Sequence, residues 1–304
     1  MQLTAALLHR LTLPTTRVDA VLDTDAYNEI DDQFALAYML ASDDLINTKA
    51  IYAAPFFNEK STSSCDGMER SYREILNLLT LMGREDMKAV AFEGSRGFLP
   101  DEKTPLDSPA ARDLITQARE YTPENPLYVI AIGAITNVAS ALLSAPDIAD
   151  KIVVVWLGGH AAHWPHTREF NLCGDLAASR VLFDSGVALI QVPCMGVASA
   201  FAISGPELDT HLRGKNALCD YLRDITTQAG LGHNCPTWSR VLWDVVAVAV
   251  LAHPDALETQ LAPRPRIAAE GLYAPDPTAP AMRMVTHVWR DGLLEDLVGK
   301  LEKI

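Results

Sequence analysis

The sequence predicts an α/β fold in which a mostly parallel, doubly wound central sheet is flanked by helices and followed by a helical C-terminal region. Six short apolar runs rich in β-branched residues recur between residues 18 and 192, and segments of helical period separate them. Apolar runs without strict alternation are typical of strands buried on both faces, as in parallel sheets. In such a fold the ligand binds at the carboxyl ends of the strands.

The predicted elements follow one another in a regular alternation. The expected strands are residues 18–22, 46–53, 89–92, 127–132, 152–157 and 187–192. The segments between them have helical period, and the expected helices are residues 31–40, 67–82, 108–120, 136–143 and 175–183. Residues 204–250 then read as helices, including an apolar segment that contains Asp244, and a proline-rich loop, a short β segment near residues 282–289 and an amphipathic helix over residues 291–304 close the chain.

Composition limits the functional classes. The 304 residues include 25 Lys+Arg and 39 Asp+Glu, a net charge of -14 that argues against nucleic acid or an anionic membrane as partner. Five widely spaced cysteines without a C-x-x-C pair indicate neither a disulfide framework nor a thiolate zinc site, which fits a reducing cytoplasm. We expect no signal peptide, no membrane span and a single domain over residues 1–304.

The stretch "DTDAYNEIDD" at residues 23–32 crowds five carboxylates where the first strand leads into a helix. Two carboxylates about 5 Å apart repel by roughly 3 kcal/mol at an effective dielectric near 20. Helix capping and the helix dipole would explain Glu29 or Asp31 at the start of a helix. They do not explain Asp23 and Asp25 at the mouth of a buried strand, so a hard divalent cation is the simplest explanation.

These residues resemble a known family. Inosine-uridine type nucleoside hydrolases carry the signature D-x-D-x-G-x-D-D-x-x-A-L after the first strand, and "DTDAYNEIDDQFAL" follows the same frame. Two departures stand out. The loop between Asp25 and Asp31 is two residues longer than in the usual members, and "AYNEI" replaces the usual Pro-Gly-x.

Four later stretches resemble further motifs of this family in the family's order. "AIGAITNVASAL" is similar to the G-P-L-T-N-x-A segment, and "VVVWLGGH" is similar to the strand that ends in M-G-G. "REFNLCGD" is similar to the A-E-F-N-x-x-x-D segment, and "LWDVVAVAV" is similar to the helix whose aspartate completes the metal site. The resemblance implies a nucleoside hydrolase fold and hydrolysis of the N-glycosidic bond of a nucleoside to a free base and ribose.

The resemblance implies a calcium site made by Asp25, Asp32, Asp244 and the main-chain carbonyl of Thr136. Asp25 would also act as the general base on a water molecule acidified by the metal. Asp23 is expected to orient Asp25 or its water rather than to bind the ion. The alternative for Thr136 is that it only caps the following helix.

The resemblance also implies where the nucleoside binds. Asp31, which joins Asp25 as a catalytic residue, would hold ribose hydroxyls together with Glu169 and Asn171, and Asn58 in "FFNEKS" is a further candidate for the same pocket. The alternative for Asn171 and Glu169 is that they are ordinary polar groups of a loop.

Recognition of the base departs from the common pattern. Many members have a histidine directly before the last aspartate, where this chain has Trp243, and purine-preferring members also carry "WD" there. Stacking on a purine is the expected role of Trp243, against the alternative of a core residue. The candidates for contacting the leaving base, each a weak one, are His163 with Trp164 and His166, and His233 with Arg240.

Two other functions stay open at this point. A noncatalytic nucleoside or ribose binder of the same fold would explain the longer loop and the missing histidine. The segment "VLDTDAY" also resembles the first motif of haloacid-dehalogenase-like phosphatases, although Tyr27 and Ser179 depart from that family's pattern. By resemblance to a family of dimers and tetramers, a homodimer or homotetramer is expected.

Overall fold

The computed structural model describes residues 1–231, 235, 237–268 and 270–304. Its main sheet has eight strands in the order β3-β2-β1-β4-β5-β6-β12-β9, and every neighbouring pair is parallel except β12 with β9. The strands of the main sheet are β1 Val18–Thr24, β2 Ile46–Ala53, β3 Ala91–Phe92, β4 Leu127–Ala131, β5 Ile152–Leu157, β6 Ala188–Val192, β9 Leu257–Pro263 and β12 Ala281–Val288. The α/β fold with a mostly parallel sheet is therefore confirmed.

Helices cover both faces of this sheet. They are α1 Ala5–Leu11, α2 Asp31–Ala41, α3 Ser64–Leu81, α4 Pro109–Ala118, α5 Thr136–Ser144, α6 Phe170–Gly174, α7 Leu176–Asp184, α8 Gly205–His211, α9 Ala217–Leu231, α10 Val245–Ala252 and α11 Arg290–Leu301. Alternate residues of β1 enter different cores, because Ala20 and Leu22 pack with α2, α3, α10 and α11, whereas Val21 packs with α4, α5 and α7. This arrangement is a doubly wound sheet.

The strand order creates a switch point between β1 and β4. From β1 the chain first runs outward through β2 and β3, and it then returns to β4 on the other side of β1. Asp23 pairs with Ala131 in the β1–β4 register, so the loops that follow both strands emerge side by side. Ligands of open α/β sheets bind in the crevice at such a point.

Three predicted segments need correction. Residues 257–263 of the expected proline-rich loop form β9, which tolerates Pro263 because it is the last residue of an edge strand. The region expected to be only helical also contains β8 Ser239–Val241, which forms an antiparallel pair with β7 Ala202–Ser204, and a second small pair joins β10 Arg266–Ile267 to β11 Tyr273–Ala274. The expectation that Asp244 lies inside a helix was wrong, because α10 begins at Val245 and Asp244 is its N-cap residue.

Among the described residues, no helix combines the length and the apolar character needed to cross a lipid bilayer. The organisation of residues 1–304 as a single domain stays a prediction.

Candidate active site

A cavity of about 460 Å³ opens at the carboxyl ends of the central strands. Its walls come from the loops after β1, β2, β4, β5 and β6 and from the segment before α10. The lining residues are Asp25, Asn28, Glu29, Asp31, Asp32, Asn58, Glu59, Ile132, Leu157, His160, Arg168, Glu169, Phe170, Asn171, Cys194, Met195, Trp243 and Asp244. Eight of the residues that the sequence singled out therefore meet in one cavity.

The acidic loop reaches the cavity through a tight turn. Asp25 follows β1 directly, its carbonyl accepts a hydrogen bond of 2.7 Å from the main-chain N–H of Asn28, and α2 begins at Asp31. Ile30 is the N-cap residue of α2 and makes no side-chain cap hydrogen bond, so neither Glu29 nor Asp31 caps the helix. Asp31 and Asp32 lie in its first turn, where the helix dipole favours negative charge.

Three carboxylates from two distant segments converge at the centre of this site. Asp31, Asp32 and Asp244 each offer an oxygen, and these oxygens lie within 4.8 Å of one another. The hydroxyl of Thr24 donates to Asp32 Oδ1 at 2.6 Å, and the main-chain N–H of Asp244 donates to Asp31 Oδ2 at 3.2 Å. Asp25 lies within hydrogen-bonding reach of Asp32. This is a donor set of hard oxygen atoms that suits a divalent cation.

Burial makes the charge of this cluster unfavourable without a cation. Asp25, Asp31, Asp32 and Asp244 are between 1 and 4% exposed. Burial, reinforced by the neighbouring carboxylates, raises the pKa of Asp31 to about 8 and the pKa values of Asp25 and Asp244 well above their usual range. Burial also raises the pKa of Asp32 to about 6, although the Thr24 hydroxyl opposes the shift. The cluster must bind either protons or a cation near neutral pH.

Thr136 and Asp23 do not line the cavity. Thr136 is the first residue of α5, and its hydroxyl donates to Asp175 Oδ2 at 2.7 Å, so the metal-binding role of its carbonyl stays a prediction. Asp23 Oδ1 accepts a hydrogen bond of 2.7 Å from Asn137, and burial raises the pKa of this carboxyl to about 7. An indirect role of Asp23 through Asp25 also stays a prediction.

Glu169 and Asn171 hold together the loops at one wall of the cavity. Glu169 is the N-cap of α6, and its two oxygens accept main-chain N–H bonds of 2.8 to 2.9 Å from Asn171, Leu172 and Gly159. Both amide hydrogens of Asn171 are used by the carbonyls of Ile132 and Leu157, at 3.1 and 3.0 Å. Only Oδ1 of Asn171 is left for a ligand, so this residue can accept a hydrogen bond from a sugar hydroxyl.

The candidates for contacting the base are spread more widely. Trp243 lines the cavity and is half-buried, with part of its side chain packed against the core. His163 does not line the cavity and lies beside Gly196, and His233 is outside the described residues. Arg240 of β8 forms an ion pair of 2.8 Å with Glu29 at the rim.

His160 is a cavity residue that the sequence reasoning missed. It follows Gly158 and Gly159 after β5, and its Nδ1 accepts a hydrogen bond of 3.2 Å from the main-chain N–H of Met195. Since Nδ1 is the acceptor, the neutral ring carries its proton on Nε2. Burial lowers the pKa of His160, and the nearby His166 ring adds to the effect. Its position directly after a predicted strand was the signal that could have identified it.

Comparisons with known proteins point to one family. The sequence model of the inosine-uridine preferring nucleoside hydrolases matches residues 20–271. The chain is 26% identical over 260 residues to the non-specific ribonucleoside hydrolase RihC of Escherichia coli, an alignment that covers 79% of this chain and 80% of that protein. It is 28% identical over 174 residues to the pyrimidine-specific ribonucleoside hydrolase RihA of Citrobacter koseri, with 49% of this chain covered. That alignment spans just over half of the relative, 55% of its length.

Solved structures show the same fold. A plant nucleoside hydrolase superposes with a TM-score of 0.77 at 19% identity, covering 95% of this chain and 100% of that chain. A purine-preferring ribonucleoside hydrolase from Gardnerella vaginalis superposes with a TM-score of 0.72 at 21% identity, covering 94% and 98%. At these identities the likeness concerns the fold alone.

Proposed function

The chain belongs to the inosine-uridine preferring nucleoside hydrolase family, and we propose that it hydrolyses the N-glycosidic bond of ribonucleosides to a free base and ribose. One observation carries the proposal. Buried carboxylates from the β1–α2 loop and from the N-terminus of α10 meet in a cavity at the switch point of the sheet, beside an asparagine that can accept a hydrogen bond from a sugar hydroxyl.

Calcium is the cation that we propose for this cluster. Asp32 and Asp244, with Asp25 and the carbonyl of Thr136, would hold it, and the hard oxygen donors fit calcium better than a softer transition metal. When bound, the cation would supply the positive charge that acidifies a neighbouring water and attracts hydroxyl groups of the sugar.

Asp25 is the proposed general base. A water molecule loses its proton to the Asp25 carboxylate while its oxygen bonds to C1′ of the ribose and the bond from C1′ to the base nitrogen breaks. Positive charge develops on the sugar ring during this step, because the transition state resembles an oxocarbenium ion. The carboxylates around the cavity favour that charge.

The sugar is held by hydrogen-bond acceptors. We propose that Asp31 and Oδ1 of Asn171 accept hydrogen bonds from ribose hydroxyls, and that Asn58 contributes a further polar contact. Glu169, whose oxygens accept three main-chain N–H bonds and a hydrogen bond from the Cys194 thiol, would fix Asn171 and the loop that faces the sugar. Binding energy on the sugar then serves the reacting centre.

The leaving base needs a proton as well as a surface. Trp243 would stack on the base, which favours purines, and the Nε2–H of the neutral His160 ring would donate a hydrogen bond to the departing nitrogen, which then takes up a proton from solvent. This assignment makes His160 the hydrogen-bond donor to the leaving base, because Trp243 occupies the position where many members of the family have a histidine.

The test is incubation of the purified protein with inosine, guanosine, adenosine, uridine and cytidine in the presence of Ca²⁺, followed by an assay for free ribose. Release of ribose from any of them supports the proposal. If none is cleaved although calcium binds, the noncatalytic nucleoside binder replaces it. Two features of the sequence favour that alternative: the loop between Asp25 and Asp31 is longer than usual in the family, and Trp243 replaces a histidine. Cytoplasmic location and a homodimer or homotetramer stay predictions.

A further inference from the structure

Asn28 belongs to the lengthened acidic loop and lines the cavity. Asn28 lies between Asp25 and Asp31, in the segment where "AYNEI" replaces the shorter sequence of the family signature. The side chain is only 7% exposed, and it lines the cavity. A polar residue buried at this point has a specific set of partners.

A directional chain of hydrogen bonds ends at the proposed general base. The main-chain N–H of Lys60 donates to Asn58 Oδ1 at 2.9 Å, and Asn58 Nδ2 donates to Asn28 Oδ1 at 2.7 Å. Asn28 Nδ2 then donates to Asp25 Oδ2 at 3.0 Å. A main-chain N–H can only donate, so it fixes the orientation of the Asn58 amide, and Asn58 in turn fixes the amide of Asn28. Asn28 therefore presents its N–H to Asp25.

The main chain of Asn28 is fixed independently. Its N–H donates to the carbonyl of Asp25 at 2.7 Å, and its own carbonyl accepts from the ammonium group of Lys60 at 2.6 Å. At the other oxygen of Asp25, a Cβ built at Gly133 would lie 3.0 Å from Oδ1, so the backbone there packs closely against the carboxylate. Asn28 thus contacts Oδ2 of Asp25, and Gly133 packs near Oδ1.

We propose that Asn28 is a positioning residue that holds the carboxylate of Asp25 in the orientation needed to take a proton from water. Its N–H occupies Oδ2 and limits rotation of the carboxylate, so a defined lone pair faces the reacting water. A general base held in this way spends more of its time in the geometry that allows proton transfer from water. This inference rests on the hydrolysis proposed above, and it assigns the loop extension a role in positioning the general base Asp25.

The direct test is Asn28→Ala, measured with saturating calcium and a range of nucleoside concentrations. Loss of a hydrogen-bonding partner that orients a reacting or ligating group typically costs 10–100-fold in activity or metal affinity. We expect kcat to fall by about 10- to 100-fold with KM changed by less than about threefold. The reason is that Asn28 orients the general base Asp25 and does not contribute to binding of the nucleoside in the ground state. Calcium affinity is measured separately, so that kcat is compared at full occupancy.

Tyr27→Ala is the matched control. Tyr27 is the neighbour of Asn28 in the same turn, its ring is 40% exposed, and it does not line the cavity. If general loosening of the loop were the cause of the loss, this variant would lose kcat to a similar extent. We expect it to keep kcat within about twofold of the wild type, an estimate that treats it as a surface substitution.

Asn58→Asp gives a second route to the same result. A carboxylate at residue 58 cannot donate to Asn28, so the Asn28 amide is no longer fixed with its N–H towards Asp25. We expect kcat at saturating nucleoside to fall in this variant too, whereas loss of the sugar contact proposed for Asn58 would raise KM. The double variant Asn28→Ala/Asn58→Asp should lose little more kcat than the worse single variant, because both changes break one chain. Circular dichroism checks that each variant is folded.

The outcomes separate the two proposals. Wild-type protein that releases no ribose from any nucleoside overturns both the hydrolase function and the role of Asn28. If the wild type is active and the kcat of Asn28→Ala lies within about twofold of it, the role of Asn28 alone is overturned. A tenfold change in kcat corresponds to about 1.4 kcal/mol. A rise in KM without loss of kcat, an equal loss in Tyr27→Ala, or fully additive losses in the double variant also contradict it.

Discussion

Removal of the divalent cation should make the stability of this protein fall as the pH rises. Without a cation, the folded state holds protons on its buried carboxylates at pH values where the unfolded chain has released them. Burial and mutual repulsion raise the pKa of Asp31 to about 8 and that of Asp32 to about 6. An aspartate in an unfolded chain titrates at about 3.9.

The sign follows from proton linkage. Between about pH 4 and pH 8 the folded cation-free protein binds more protons than the unfolded chain, so its free energy of unfolding decreases as the pH rises. This stability is fully present below the unfolded pKa and is lost as the pH rises through the folded pKa values.

The magnitude can be worked from Asp31 alone. The whole shift from about 4 to about 8, at about 1.4 kcal/mol per pKa unit, corresponds to about 6 kcal/mol, of which about 4 kcal/mol is lost between pH 5 and pH 8. For a chain of this length, roughly 1.5 °C of Tm accompanies each kcal/mol, so we expect Tm to fall by about 6 °C from pH 5 to pH 8.

The assay is a thermal unfolding series at pH 5, 6, 7 and 8, with EDTA and with excess Ca²⁺. Calcium at about 100 times its dissociation constant adds about 2.7 kcal/mol, and its effect should grow with pH because the cation replaces protons. Asp244→Asn serves as the control, since it removes one of the repelling charges and should flatten the cation-free series. A Tm with EDTA that is constant or rises from pH 5 to pH 8 would refute the reasoning.

Three substitutions test the chemistry. Asp25→Asn removes the proposed base, and we expect ribose release to fall at least about 10³-fold with the fold retained by circular dichroism; near wild-type turnover would exclude the role. Trp243→Ala should lower kcat/KM more for inosine than for uridine if the indole stacks on the base, whereas equal losses would make it a packing residue. His160→Ala should cost about 10²-fold on inosine but little on 4-nitrophenyl riboside, whose leaving group is stable as an anion, and equal losses on both would contradict hydrogen bonding to the leaving base.

The sequence was most informative where local pattern and topology agree. Continuous apolar runs marked the strands of the parallel sheet, the rule that ligands bind at their carboxyl ends pointed to Asp25, and the resemblance to the family added Asn171. The structure brings both into a single cavity. Ordered motifs linked Asp244 to the acidic loop across more than 200 residues, and the structure places its main-chain N–H 3.2 Å from Asp31.

Features that depend on tertiary contacts were not accessible in this way. The apolar segment around Asp244 favours a helix throughout. In the structure the helix begins only at Val245, directly after Asp244, because β8 and the following turn occupy the residues before it. β9 was hidden by prolines that an edge strand tolerates at its end.

Side-chain roles set by distant partners were equally hidden. His160 is oriented in the cavity by the main-chain N–H of Met195, which follows β6 and donates a hydrogen bond to the Nδ1 of its ring. Asn28 gains its orientation from Asn58, which is 30 residues away. Neither partner leaves a periodic signal in the sequence.

The most direct measurement is a calcium titration by isothermal calorimetry of the wild type and of Asp244→Ala at neutral pH. The account predicts a single strong site in the wild type, and a loss of affinity of at least about 100-fold in the variant, which removes a charged ligand contributed by the N-terminus of α10. Absence of calcium binding by the wild type, or equal affinity in both proteins, would contradict the claim that the buried aspartates form a cation site.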